Sequence, residues 1–196
     1  VTICVMLHSC CCRHGQFEYR TPKRGDIKWN YHSQSYVWSS TWRKTNKSNT
    51  MYYMHMPRHP HRAAGYYNVH SGNNIVRVSA AIILSWYLQR RDTQHGRRPS
   101  DPLFPDLPPT HRRDKFNKWM SKTFAAAMGP SSSLHHRIRP HAWRAGWVTD
   151  NRCDMIPDLA IMKDGRWKNL PAMLKYDRES LRSLYASSRI FLNKSR

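Results

Sequence analysis

His141 and Arg144 stand at i and i+3 in the chain, a spacing that sets an imidazole beside a guanidinium on one helix face. Such a pair can grip one phosphate, because a planar guanidinium donates two parallel N–H bonds to its oxygens. The pair alone has little specificity: the same spacing recurs at His55/Arg58, His59/Arg62, His95/Arg98 and His136/Arg139. The residues downstream of Arg144 set this copy apart. Trp167, after Gly165-Arg166, stands 23 residues beyond Arg144, and Tyr176 stands nine beyond Trp167. Counting 23 from the other four arginines reaches Ala81, Ser85, Ser121 and Met162, none with a Tyr nine residues on. Taken singly, Trp167 and Tyr176 read as core aromatics in a chain with eight Trp and ten Tyr. Taken together, four residue types in this order at two fixed spacings are hard to obtain from composition.

The elements that must position these residues are legible from periodicity and punctuation. The apolar opening Val1–Leu7 predicts a core helix and is too short to span a bilayer. Ile27–Ser39 and Thr50–Met56, with a third short run Tyr66–His70, are rich in Tyr, Val, Trp and Thr and predict antiparallel strands. Ile75–Arg91 places Ile75, Val78, Ile82 and Trp86 near helical spacing and predicts a helix ending at Arg90-Arg91. Pro99–Pro109 excludes a helix and predicts an ordered connector. Thr110 then caps a predicted helix through Met128, closed by Gly129-Pro130. Its Phe116, Trp119, Met120 and Phe124 would face inward; Arg112, Arg113, Lys118 and Lys122 would face outward, a surface able to follow a phosphate backbone or simply to be solvated. His141–Thr149, Pro157–Lys163, Pro171–Arg178 and Leu181–Leu192 predict four short helices. The expected fold class is α+β, mostly α, with a small antiparallel sheet in the first half.

Charge narrows the partner. The chain has 196 residues, with 33 Lys+Arg against 12 Asp+Glu, a net +21; a field of that size gathers polyanions and says nothing about fold. No acidic residue falls between Asp26 and Asp92, whereas nine Lys or Arg run from Lys28 through Arg91. A hydrophobic fraction of 39% excludes a disordered basic tail. Cys4, Cys10, Cys11, Cys12 and Cys153 are odd in number and lack the paired spacing of a structural zinc site or a disulfide framework. The His-rich run His55–His61 alternates with Pro and Arg, whose charge repels a cation, so no metal site is expected there.

His141-x-x-Arg144, Gly165-Arg166-Trp167 and Tyr176 resemble the motifs of the catalytic domain of tyrosine recombinases (integrases). Weaker likenesses lie upstream. Arg13-His-Gly-Gln-Phe17 and Gly25-Asp-Ile-Lys-Trp29 resemble that family's first-arginine helix and following strand, and Pro102-Leu-Phe-Pro105 its connector. The resemblance covers nearly all of residues 1–196 as a single catalytic domain, without the family's N-terminal DNA-clamping domain. It implies double-stranded DNA as partner, no cofactor, and cleavage and rejoining of DNA strands through a 3′-phosphotyrosyl link. Tyr176 would be the nucleophile, Arg13 and Arg144 would bind the non-bridging oxygens, Trp167 would donate its indole N–H, and His141 would take or share the phenolic proton. It also implies that the last helix, 181–192, docks on a neighbouring protomer, giving a homo-oligomer on DNA.

Two departures stand out. The family carries a Lys on a β-hairpin as general acid for the leaving 5′-oxygen, and the segment Met56–Gly65, read as that hairpin, has none. Arg58, His59, His61 and Arg62 are the DNA contacts expected there; a His could donate a proton, an Arg scarcely could. Gln16 stands where the family usually has Glu, which leaves Arg20 and Arg24 as alternatives to Arg13. Competing readings are a catalytically impaired DNA-binding relic of the same fold and a basic RNA- or ribosome-binding protein. A membrane partner is not expected. Compartment depends on the host, nucleus in a eukaryote and cytoplasm in a bacterium.

Overall fold

A computed structural model of the chain describes residues 2–11, 22–40, 51–60, 66–71, 74–105, 107, 116–122 and 140–177. The apolar opening forms helix α1 (Thr2–Ser9), with Ile3, Val5, Met6 and Leu7 buried. After a 3-10 turn at Arg24–Asp26, strands β1 (Ile27–Asn30), β2 (Ser35–Ser40) and β3 (Tyr52–Pro57) form an antiparallel sheet in that order. Ile27 lies opposite Trp38 and Trp38 opposite Met54, so one buried row crosses all three strands. Met54 and Met56 face in, and Tyr53 and His55 face out, the alternation a half-buried strand requires.

Ile27–Ser39 is thus two strands around a turn at 31–34, where Gln34 has φ 48°. A second hairpin of this sheet joins β2 to β3 across residues 41–51, whose sequence includes Lys44 and Lys47. The segment 56–65 is therefore not that hairpin: it begins as the end of β3 and leads to a separate pair, β4 (Tyr66–Ser71) and β5 (Asn74–Ser79).

The helix expected over Ile75–Arg91 is corrected by the structure. Residues 74–79 are strand β5, paired with β4 from Ser79 opposite Tyr66 to Asn74 opposite Ser71, and helix α2 runs Ala80–His95. β-branched Ile75, Val76 and Val78 suit the pleat. Ser79 stays extended and its hydroxyl accepts the Ile82 N–H at 3.4 Å, so the cap fixes the start. The buried face is Ala80, Ala81, Ile83, Leu84, Leu88 and Arg91, while Ile75 and Trp86 are exposed. At the other end the chain leaves α2 through Gly96 at φ 82°, a left-handed turn that glycine adopts readily.

Residues 99–103 of the proline connector are held by contacts with residues 22–26. Leu103 N donates to Pro22 O at 2.7 Å and Arg24 N to Asp101 O at 2.8 Å. Gly25 N donates to Pro99 O at 3.0 Å, and a Cβ on Gly25 would sit 2.8 Å from Pro99 Cβ, too close to fit. Leu103, Phe104 and Leu107 enter the core with the sheet, α1 and α2.

Residues 116–122 are helical, with Phe116 and Met120 buried and Lys118 and Lys122 exposed. Arg112, Arg113 and Phe124 lie outside the described residues, as does the helix expected at 181–192. The remaining helices are α4 (Pro140–Cys153), α5 (Asp158–Gly165) and α6 (Leu170–Leu174), taking 116–122 as α3. The helix expected over Pro171–Arg178 is shorter, and Tyr176 lies in the turn after it. The fold class is α+β, helices with small antiparallel sheets in the first half. Among the described residues no helix is long and apolar enough to cross a membrane.

Candidate functional site

α4 carries His141 and Arg144 one turn apart and buries Arg144, Ala145, Trp147 and Val148. α5 ends at Gly165, and Arg166 reverses the chain at φ 60°, ψ 42°, with Trp167 N donating to Met162 O at 2.9 Å. That reversal lays the Trp167 ring over Gly165, where a Cβ would collide with the ring carbons. Glycine is needed here for the close approach. Asn169 then caps α6 by accepting the Ala172 N–H at 3.0 Å, and Pro171 occupies the first turn, where a missing N–H costs nothing. After α6 a turn from Tyr176 N to Met173 O at 2.8 Å brings Tyr176 back onto Trp167, ring centroids 5.4 Å apart. Arg152 of α4 pairs with both Asp177 and Asp158, tying the turn beyond Tyr176 to the start of α5.

Arg144 lies at the centre of this arrangement. Its guanidinium carbon is 4.0 Å from the Trp167 ring centroid and 5.5 Å from that of Tyr176. Its Nη1 donates to Cys11 O at 3.1 Å and its Nη2 to Gly165 O. The residue is only 3% exposed. Cys11, Trp147, Val148, Ile161 and Met173 form a small second core around it, with Trp167 and Tyr176 packed against them. Trp147 stacks on Trp167 at 26°.

The structure therefore brings Arg144, Trp167 and Tyr176 together, as a packed cluster and not as an open basic pocket. Arg13 and the His141 side chain lie outside the described residues, as do His61 and Arg62. Arg58 and His59 are exposed beyond β3, with Arg58 N donating to Gln34 O at 2.9 Å. Arg24, an alternative to Arg13, is committed elsewhere: its guanidinium forks onto Asp92 at 2.9 Å. Asp92 also accepts from Arg91, whose other donors reach Pro102 O and Gly96 O. Burial alone would push the Asp92 carboxyl up, but hydrogen bonds from Arg24 and Arg91 outweigh it and hold the carboxyl below its usual range.

Three features of this region have no counterpart among the motifs of the sequence. Arg166 donates to Cys10 O at 2.9 Å and Cys11 O at 3.4 Å, beside Arg144. A groove of about 540 Å³ runs between β3, the end of α1, α4 and α5, lined among others by Tyr52, Met56, Trp147, Lys163 and Arg166. A polar chain joins α1, β4 and α4: Ser9 Oγ lies 2.6 Å from Tyr67 Oη, which lies 2.9 Å from His8 Nδ1, and His8 Nε2 lies 3.3 Å from Asp150. Only the helix-ending Gly165 carries a local signal for any of these; the rest depend on residues distant in sequence. Among the described residues no three His, Cys, Asp or Glu are grouped to hold a metal.

No protein-family model matches the chain, and no curated protein does. Among solved structures it is similar to an integrase of the transposon Tn1549 in complex with transposon right-end DNA, at 12% identity and a TM-score of 0.47. The similarity covers 96% of this chain and 57% of that one.

Proposed function

We propose that the chain is a tyrosine-recombinase-like catalytic domain that cleaves and rejoins double-stranded DNA. One observation carries the reading: Arg144, Trp167 and Tyr176, spaced 23 and nine residues apart, meet in one cluster although three different segments supply them. The net charge of +21 supports a polyanionic partner. Arg13 comes two residues after Cys11, whose carbonyl Arg144 binds, and two extended residues reach about 7 Å.

In this reading the Tyr176 Oη–phosphorus bond forms as the P–O5′ bond breaks, leaving a 3′-phosphotyrosyl link and a 5′-hydroxyl. The phenolic proton passes to His141, since a phenol near pKa ~10 is a poor nucleophile until a base helps it. Arg13 and Arg144 neutralise charge on the non-bridging oxygens, and Trp167 donates its indole N–H. The leaving 5′-oxygen needs a proton, and Lys44 and Lys47 in the β2–β3 connection are its candidate donors. The reaction as written balances without a metal or cofactor. The domain assembles as a homo-oligomer on DNA through 181–192.

The test is incubation with nicked suicide DNA and a search for an adduct that survives denaturant. Wild type should form it, Tyr176→Phe should not, and Lys44→Ala with Lys47→Ala should slow it. An adduct persisting in Tyr176→Phe overturns the nucleophile. The burial of Arg144 against two backbone carbonyls favours a second reading, a DNA-binding relic of the same fold, which predicts DNA binding with no adduct under any condition.

A further inference from the structure

Arg166 combines three observations that no ordinary surface arginine shares. It adopts the left-handed conformation, φ 60° and ψ 42°, which costs a residue with a Cβ and which glycine would take freely. Its Nη2 reaches back across more than 150 residues of chain to Cys10 O and Cys11 O. Cys11 O is also the acceptor for Arg144 Nη1. Two guanidinium groups thus converge on one backbone turn at the end of α1, and Cys11 itself holds a positive φ of 45°.

We infer that Arg166 is a positioning residue for Arg144. It clamps the Cys10–Cys11 turn to the α5–α6 junction and shares the Cys11 carbonyl. When Arg144 turns toward a DNA phosphate, Arg166 keeps that buried carbonyl hydrogen-bonded, so the carbonyl is not stranded. A buried acceptor left without a donor is costly, and Arg144 alone could leave it only against that cost. The left-handed backbone is retained because the side chain is used. This inference rests on the recombinase reading for its catalytic consequence; the clamp itself does not.

The test compares wild type with Arg166→Gly and Arg166→Lys. Glycine relieves the left-handed backbone, so folding is not compromised at that position, and lysine keeps one charged donor. Two readouts are taken: the rate of covalent adduct formation on nicked suicide DNA, with affinity for intact DNA alongside, and the rate at which Cys10 and Cys11 react with a thiol reagent, located by tandem mass spectrometry. Arg166→Gly should slow adduct formation by about tenfold or more. DNA affinity should stay near wild type, Cys10 and Cys11 should be modified faster, and Arg166→Lys should restore part of both losses. Unchanged thiol reactivity in Arg166→Gly overturns the clamp, whatever the DNA chemistry. Faster labelling with an undiminished adduct rate overturns the positioning role. If wild type forms no adduct, the recombinase reading fails and with it the positioning role, while the labelling still decides whether the clamp exists.

Discussion

The guanidinium of Arg144 is sandwiched against the indole of Trp167, 4.0 Å from its centroid, while its amines donate to the carbonyls of Cys11 and Gly165. This one contact joins α4, the end of α1 and the α5–α6 junction, so the residue proposed to bind phosphate is also a keystone of the local core.

Arg144→Ala should therefore act on stability as well as on cleavage. The Gly165 carbonyl loses its Arg144 donor, at about 1–3 kcal/mol, while the Cys11 carbonyl keeps Arg166, and Tm should drop by about 5 °C. Arg144→Lys keeps the charge but neither the fork nor the stacking on Trp167, so it should recover little. Thermal unfolding and the adduct assay check the two effects separately; a fully stable Arg144→Ala protein would contradict the packing described.

Gly165→Ala should displace Trp167. The added Cβ meets the ring carbons of Trp167 and not a flexible chain end, and overpacking of this kind costs about 1–3 kcal/mol. Denaturant titration would measure the loss, and near-ultraviolet circular dichroism should change because Trp147 and Trp167 are stacked.

Asp92 sets an acid limit on stability. Burial pushes its carboxyl up, but hydrogen bonds from Arg24 and Arg91 prevail, so it titrates below its unfolded value. A depressed acid contributes stability above the unfolded pKa and loses it as pH falls through the folded one. Stability should thus fall below about pH 4, and Asp92→Asn should flatten that part of the profile. The variant should also destabilise the protein at neutral pH, because buried Arg91 loses its nearer carboxylate and keeps only Asp101, 4.0 Å away.

Lys118 and Lys122 are exposed on one short helix and are expected to meet backbone phosphates. Replacing either by Ala should reduce the slope of log Kd against log salt by about one and leave sequence preference unchanged. An unaltered slope would mark that face as merely solvated.

Alternation and punctuation make much of the secondary structure legible: β3, β4, α1 and α5 all stand within two residues of the expected runs. The departure at Ile75–Arg91 has a physical cause. Ile75, Val78, Ile82 and Trp86 fit a helical stripe by spacing, but β-branched residues satisfy strand pairing equally well, and the partner strand 66–71 decides between them. The hairpin lies one connection earlier than expected for a similar reason, since strand spacing alone does not distinguish pairing of β2 with β3 from pairing of β3 with β4.

By itself the sequence determined a polyanion-seeking charge, a mostly helical α+β chain and an ordered His141, Arg144, Trp167, Tyr176 series. These depend on composition and on near neighbours, which one-dimensional spacing records. Only the tertiary structure decided that Arg144 is buried, that Cys11 and Gly165 supply its acceptors, and that Arg166 shares one of them. The Arg144–Cys11 bond spans 133 residues, and no local propensity specifies which two surfaces will meet across such a distance; packing of α1 against α4 does.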